Sequence, residues 1–209
     1  GRDYLTETVI IATGASPNHL GVPGEKELTG RGVSYCATCD GWFFKDKRVV
    51  VVGGGDSALE EGLFLTRFAT SVTVIHRRNE LRAGAILQRR AVEHPKISFV
   101  WDSVVTEILG GEAVQSVKVK NVKSEEESVL ETDGVFIFIG HKPNTGLFKD
   151  QLEMNAAGYL LVDEKMRTNI EGVYAAGEVM DPIYRQVVTS AGMGAAAAIQ
   201  AIKYLEEKS

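Results

Sequence analysis

Arg48-Val49-Val50-Val51-Val52-Gly53-Gly54-Gly55-Asp56-Ser57-Ala58-Leu59-Glu60-Glu61 is the stretch that decides the fold. Four valines in a row, β-branched and without a polar interruption, make the pattern of a parallel strand covered on both faces. Three glycines follow directly. A helix is then expected over 57–68, with acids in its first turn and Leu59, Leu63 and Phe64 along one face. The pattern G-x-G-x-x-A, here Gly53, Gly55 and Ala58, is weak by itself. Set between a strand and a helix it becomes a dinucleotide-binding signature. Gly53 permits the tight turn, Gly55 omits a Cβ where a pyrophosphate must approach, and Ala58 lets helix and strand pack closely. The free N–H groups at the helix start, around Asp56 and Ser57, would face the anion. We read Gly53, Gly55, Asp56, Ser57, Ala58 and Glu60 as candidate cofactor-binding residues. A plain glycine turn is the competing reading.

The next strand, Val72-Thr73-Val74-Ile75, ends in His76-Arg77-Arg78, with Arg82 one turn on. An acid at this place, ~20 residues beyond the glycines, would hold the ribose 2′-hydroxyl of NAD. Guanidinium groups match a 2′-phosphate instead, so NADPH is the expected cofactor, with His76, Arg77, Arg78 and Arg82 around it. The alternative is a solvated basic face, because Arg89 and Arg90 continue the run. A helix is expected over 81–92, stopping before Pro95. Residues 97–101, 104–109, 114–122 and 128–130 alternate like antiparallel strands, and Glu125-Glu126-Glu127 reads as a solvated hairpin turn.

Further out, one pattern occurs twice. Val9 to Asn18 and Val135 to Asn144 both read Val-x4-Gly-x2-Pro-Asn, a strand ending in Gly and then Pro. Such endings mark where a chain leaves a sheet, and the two copies are expected to be the entry and exit crossings of one inserted domain. Strands over 159–162 and 173–176 and a helix over 189–205 should follow the second crossing.

The chain has two cysteines, Cys36 and Cys39, in Ser34-Tyr35-Cys36-Ala37-Thr38-Cys39-Asp40-Gly41. So few exclude a disulfide-stapled secreted scaffold and fit a reducing cytoplasm. Two thiols separated by two residues form a redox pair, since one sulfur can attack a mixed disulfide at the other. Zinc is the alternative, but His19, His76, His94 and His141 are scattered and no intrachain set completes the site, leaving only sharing across a dimer. Over 209 residues, 23 Lys and Arg against 28 Asp and Glu give a net charge of −5, which argues against nucleic acid as a partner. No apolar run nears the ~18 residues of a membrane helix. The start, GRDYLTE, has no Met and no targeting pattern and reads as a cut end.

These motifs together resemble the C-terminal two-thirds of the low-molecular-weight, bacterial-type thioredoxin reductases. The likeness rests on Cys36-Ala37-Thr38-Cys39-Asp40-Gly41, Gly53 to Glu61, His76-Arg77-Arg78, Gly140-His141-x-Pro143-Asn144-Thr145, Gly172 to Gly177, and Tyr184-Arg185-Gln186-x-x-Thr189-Ser190-Ala191-Gly192. It implies an α/β chain: 1–19 as a strand and crossing of an FAD domain, 20–140 as a Rossmann-like NADPH domain with a parallel sheet and an antiparallel meander, and 141–209 as the C-terminal part of the FAD domain. It implies hydride transfer from NADPH to FAD, then reduction of Cys36–Cys39, then reduction of thioredoxin or a similar small dithiol protein. Cys39 would face the flavin, Cys36 would attack the partner, and Asp40 would carry the proton, unless it is only a turn residue before Gly41. His141 is a weaker acid–base candidate.

Thr13, Gly14, Gly177, Glu178, Arg185, Gln186 and Val187 resemble FAD-contacting positions, and a homodimer with a hinge at the two crossings is implied. Gly192 and Gly194 are read as close-packing positions. Two departures stand out: Glu178 replaces the Asp of the family's Gly-Asp, and one of the two expected dinucleotide fingerprints is present. The chain alone is therefore expected to bind NADP(H), to hold FAD poorly and to turn over little. A peroxiredoxin-reducing flavoprotein subunit and a non-catalytic redox-sensing module are the alternatives.

Overall fold

In this computed structural model, which describes residues 2–208, the valine run becomes the centre of a sheet. In chain order the strands and helices are β1 (Val9–Ile11), β2 (Ala15–Pro17), β3 (Val33–Ser34), α1 (Ala37–Asp40), β4 (Arg48–Gly53), α2 (Asp56–Leu65), β5 (Ser71–Ile75) and α3 (Ala85–Val92). They continue with β6 (Ile97–Val100), β7 (Ser103–Gly110), β8 (Val114–Asn121), β9 (Glu127–Glu131), β10 (Gly134–Phe138), β11 (His141–Pro143), β12 (Val173–Ala175) and α4 (Val187–Lys208). The chain forms two units, one from Pro17 to Gly140 and one that joins the residues up to Ser16 with those from His141 onward.

The inserted unit is built on a five-stranded parallel sheet in the order β3-β10-β4-β5-β6. Successive side chains of a strand point to opposite faces, and β4 fills a core on each. Val49 and Val51 join Leu59, Leu65, Val72, Val74, Phe136 and Phe138 on the helical face. Val50 and Val52 join Val135, Ile137, Ile108, Val117 and Val119 on the other, which the antiparallel sheet β7-β8-β9 covers. That double coverage is why the run contains no polar residue. The expected α/β class, a parallel sheet with an antiparallel meander, is the one observed, but residues 97–100, expected among the antiparallel strands, form β6, which pairs in parallel with β5 at the sheet edge.

A buried carboxylate ties the start of this unit together. Glu25 is 3% exposed, and its Oε2 accepts the Gly21 N–H at 2.7 Å while Oε1 accepts the Leu20 N–H at 3.1 Å and the Tyr35 hydroxyl at 2.8 Å. Burial works against the charge, but the Tyr35 hydroxyl, the two backbone N–H groups and His19 outweigh it and hold the carboxyl below its ordinary range. Tyr35 is correspondingly pushed up to about 12 by burial and by its bond to Glu25.

In the other unit β1 pairs with β12 in parallel, Val9 opposite Val173 and Ile11 opposite Ala175. Ile11 and Ala175 pack with Leu160 and Val179, whereas Tyr174 and Ala176 pack on Ala197 and Ala201 of α4. Between the units the chain runs through β2 and β11, which pair with each other. The repeated Val-x4-Gly-x2-Pro-Asn motifs bond in matching ways. The Asn144 N–H donates to Gly14 O at 2.9 Å, and the Asn18 N–H donates to Gly140 O at 2.9 Å. Each side-chain amide donates to the residue before a glycine, Asn144 Nδ2 to Thr13 O at 2.9 Å and Asn18 Nδ2 to Ile139 O at 3.2 Å.

Several boundaries differ from the sequence expectation. α2 stops at Leu65, where Thr66 Oγ1 donates back to Leu63 O at 2.6 Å. α3 starts only at Ala85, because 77–84 is an irregular segment held by bonds to Gly54, Asp56 and Asp102. Residues 159–162 form no strand: Asn155 Oδ1 accepts the N–H groups of Ala157 and Tyr159, and a single bridge joins Met154 to Leu160. Gly192 and Gly194 lie within α4, where an added Cβ would meet open space, so within the described residues they are not close-packing positions.

Two outcomes follow from this packing. A Cβ on Gly134 would lie inside the Phe44 ring, which is itself set edge-on to Phe136. Gly134→Ala should therefore cost about 1–3 kcal/mol, read as a lower urea midpoint at unchanged slope. For Glu25, a lowered folded-state pKa means stability present above its unfolded value and lost as pH falls through the folded one. Glu25→Gln should be clearly less stable than the parent at pH 7, with the gap closing below about pH 4, measured as urea midpoints across pH.

Candidate functional site

The turn from β4 into α2 admits no side chain at its first position. A Cβ on Gly53 would stand 2.5 Å from Phe138 O and 2.7 Å from the Ala58 Cβ, so β4, β10 and α2 meet there at backbone distance. A Cβ on Gly54 would run into the His76 ring, whereas one on Gly55 would meet nothing within 4 Å. Gly55 is the N-cap of α2 and no side chain caps that helix, so its first N–H groups open outward. The Gly53-Gly54 turn that leads into α2 lines a cleft of about 360 Å³, together with His76, Arg77, Arg82 and Ile139 among others. Two glycines and two guanidinium groups on one cleft, next to a helix N-terminus, are an arrangement that can hold an anionic dinucleotide.

The basic residues take different places. Arg77 and Arg82 line the cleft and are exposed, and the Arg82 N–H donates to Gly54 O at 2.8 Å, which ties the basic segment to the glycine turn. Arg78 is exposed but does not line the cleft. His76 is buried, and burial holds its imidazole below the ordinary value, with the Arg82 and Arg78 charges acting in the same direction. Its Nε2 lies 2.9 Å from Glu80 O, so it serves as a neutral wall behind Gly54. Asp56 Oδ1 accepts the Gly84 N–H at 2.7 Å, which anchors the start of α3. Ser57 and Glu60 are exposed on α2, and Ala58 is fully buried beneath Gly53.

Cys36 and Cys39 form a disulfide across α1. Cys36 is the N-cap residue, and its Sγ accepts the Cys39 N–H at 3.1 Å. Asp40 is half-buried, and its Oδ2 accepts the Ser34 hydroxyl at 2.6 Å, so the carboxylate is turned back toward β3. The Ala37 N–H donates to Glu61 Oε2 of α2 at 3.1 Å. Beyond it a Cβ on Gly41 would touch Leu65 of α2 at 3.2 Å, and Trp42 stands edge-on to Phe68. The dithiol turn therefore lies along the helix that follows the glycine turn of the cleft.

In the other unit, the Thr13 hydroxyl donates to Asn144 O at 2.8 Å beside Gly14. Gly177 has φ +77° and leads through Glu178 toward Asp181, a buried carboxylate. Asp181 accepts the N–H groups of Ile183 and Tyr184 on one oxygen and of Arg185 on the other. That clasp presents Arg185, Gln186 and Val187 at the start of α4. Arg185 Nη1 lies 2.6 Å from His141 Nδ1; burial first, and then the Arg185 charge, hold His141 below its ordinary value, so it accepts this bond as a neutral ring.

Sequence reasoning did not single out Glu25, Ser34, Glu61 or Asp181. Glu25 sits in the run Glu25-Lys26-Glu27, which looks like solvated surface, and Ser34 is an ordinary strand serine. Glu61 could have been found, since α2 repeats its faces every three to four residues and Glu61 shares one with Leu65.

Comparison with known proteins agrees with this geometry. The family profile described as Pyridine nucleotide-disulphide oxidoreductase matches residues 1–194. A thioredoxin reductase of Streptomyces coelicolor is 52% identical over 206 residues, covering 98% of this chain and 64% of the relative. One from Rickettsia prowazekii is 50% identical over 211 residues, covering 99% and 68%. The crystal structure of thioredoxin reductase from Streptococcus pyogenes superimposes with a TM-score of 0.92 at 50% identity, over 96% of this chain and 66% of that one. The chain thus spans about two-thirds of the length of the relatives it matches. With a glycine turn and two arginines on one cleft and a Cys-x-x-Cys disulfide packed against the helix that follows that turn, it belongs to the pyridine nucleotide-disulphide oxidoreductase family and, within that family, to the thioredoxin reductases.

Proposed function

We propose that this chain carries the NADPH-binding and dithiol parts of an NADPH-dependent thioredoxin-disulfide reductase. The observation that carries the reading is the placement of α2: the glycine turn leading into it lines the cleft with Arg77 and Arg82, and its flank holds the Cys36–Cys39 turn. The Gly53–Gly55 turn would hold the pyrophosphate, and Arg77 and Arg82, with Arg78 near them in sequence, would hold the 2′-phosphate. The disulfide takes up two electrons and two protons and becomes a dithiol. One thiolate, assigned to Cys36, attacks the disulfide of thioredoxin or a similar small protein and forms a mixed disulfide. Cys39 then attacks Cys36, which restores the intrachain disulfide and releases the partner as a dithiol. Asp40 moves the proton at the pair. Trp42 and Phe43, 62% and 70% exposed directly after the pair, offer apolar surface to that partner.

For FAD the fit is partial. Gly177, Glu178, Arg185, Gln186 and Val187 would border it at the N-terminus of α4, and Thr13 and Gly14 at the end of β1. A flavin bound there supplies hydride acceptance from NADPH and delivery of two electrons to the disulfide. Homodimerisation, a hinge at the two crossings and a cytoplasmic location complete the proposal. Among the described residues no helix is long and apolar enough to cross a membrane.

The nucleotide preference is the direct test. Arg77→Ala and Arg82→Ala should each weaken NADPH binding about tenfold, the size of one lost charge-assisted contact, while NADH changes less than about threefold. Equal loss for both nucleotides, by calorimetric titration, would overturn the 2′-phosphate assignment. In a chain extended to the full length of the relatives and loaded with FAD, Cys39→Ser should abolish NADPH-dependent reduction of thioredoxin.

A further inference from the structure

Glu61 lies outside the nucleotide cleft, and the steps proposed above do not use it. It stands in the second turn of α2, half-buried, and its Oε2 accepts the N–H of Ala37, the first residue of α1. Ala37 itself is fully buried, so this N–H has no access to water. At the cap of α1 the Cys39 N–H points at Cys36 Sγ, the Thr38 hydroxyl lies 3.3 Å from the same sulfur, and the Asp40 N–H points at Cys36 O. Glu61 takes the Ala37 N–H and sets a carboxylate next to the residue whose sulfur caps the turn.

We propose that Glu61 is a positioning residue that sets the reduction potential of the Cys36–Cys39 pair: it fixes the α1 turn through the Ala37 N–H and opposes negative charge at Cys36 Sγ. The proposal rests on the dithiol reading of the pair given above. A thiolate is stabilised by nearby N–H donors and cations and destabilised by a nearby anion. Reduction breaks the Sγ–Sγ bond with two electrons and two protons, and the pair then gains whatever stability ionisation of one thiol adds. With Glu61 charged, that gain is small and the disulfide is favoured, so the reduced pair is a stronger donor of electrons. Gln keeps the length and an oxygen for the Ala37 N–H but removes the charge.

The test is equilibration of the 209-residue chain with dithiothreitol, whose two thiols supply the electrons and protons and are oxidised to the cyclic disulfide. Glu61→Gln should shift the equilibrium about tenfold toward the reduced pair, equivalent to about 30 mV less negative for a two-electron couple. It should also speed iodoacetamide alkylation of Cys36 at pH 7. Glu93→Gln, the same charge change at the exposed C-cap of α3, should leave both readings unchanged. Glu61→Ala tests the hydrogen bond together with the charge, with circular dichroism reporting the fold. If Glu61→Gln titrates at the parent's midpoint, or Glu93→Gln moves it equally, the proposal is overturned. If Glu61→Ala lowers only the melting temperature and not the midpoint, Glu61 is merely structural and the proposal also fails. A parent disulfide that does not titrate reversibly would instead overturn the dithiol reading itself.

Discussion

At Gly53 the backbone of β4 turns into α2 with the Phe138 carbonyl and the Ala58 methyl close enough to exclude any Cβ. That three-way approach sets the height of α2 over the sheet. It places the Val51 and Val72 side chains beneath the helix near Gly62 and lets Leu59 and Leu65 reach the same core. It also leaves the first N–H groups of α2 without a side-chain cap, beyond a glycine turn that lines the cleft. The opening is thus a by-product of dense packing: Gly53 must be small for the helix to dock, and the turn it permits leaves open space at Gly55.

The same helix carries the second site. Along its length α2 offers an open N-terminus, then a carboxylate at Glu61, then the Leu65 side chain under Gly41. The dithiol turn is only four residues long and has no hydrophobic face sufficient to hold itself. It is kept in place by α2 on one side and by Ser34, which bonds Asp40 and the Cys36 backbone, on the other. Tyr35, adjacent to Cys36, is held by Glu25. Charged and hydroxyl groups therefore surround a pair of sulfurs whose chemistry depends on local electrostatics.

Parts of this arrangement were legible from residue types because they arise from local constraints. Four consecutive valines require two covered faces, and three glycines before a helix require a close approach. The α/β class and the glycine turn followed from those runs, whereas the likeness to thioredoxin reductases needed the Cys36–Cys39 spacing and the later motifs as well. Helix ends were less legible. α3 begins at Ala85 instead of near Leu81, because Asp56 and Gly54 hold the preceding segment from a different element. The expected strand at 159–162 is replaced by turns around Asn155, whose side-chain oxygen offers its neighbours a local alternative to a sheet ladder.

What the sequence determined by itself was the inventory: a phosphate-binding turn, a basic stretch after the second strand, a redox-spaced cysteine pair and two matching chain crossings. Tertiary structure alone decided which residues serve them. His76 became a buried neutral wall, Asp56 an anchor for α3, Glu61 a partner of the dithiol turn, and Glu25 and Asp181 buried clasps for loops. The reason is physical. A glycine or valine states a steric requirement wherever it stands, whereas the role of a carboxylate or imidazole depends on the N–H groups and charges that distant segments bring to it.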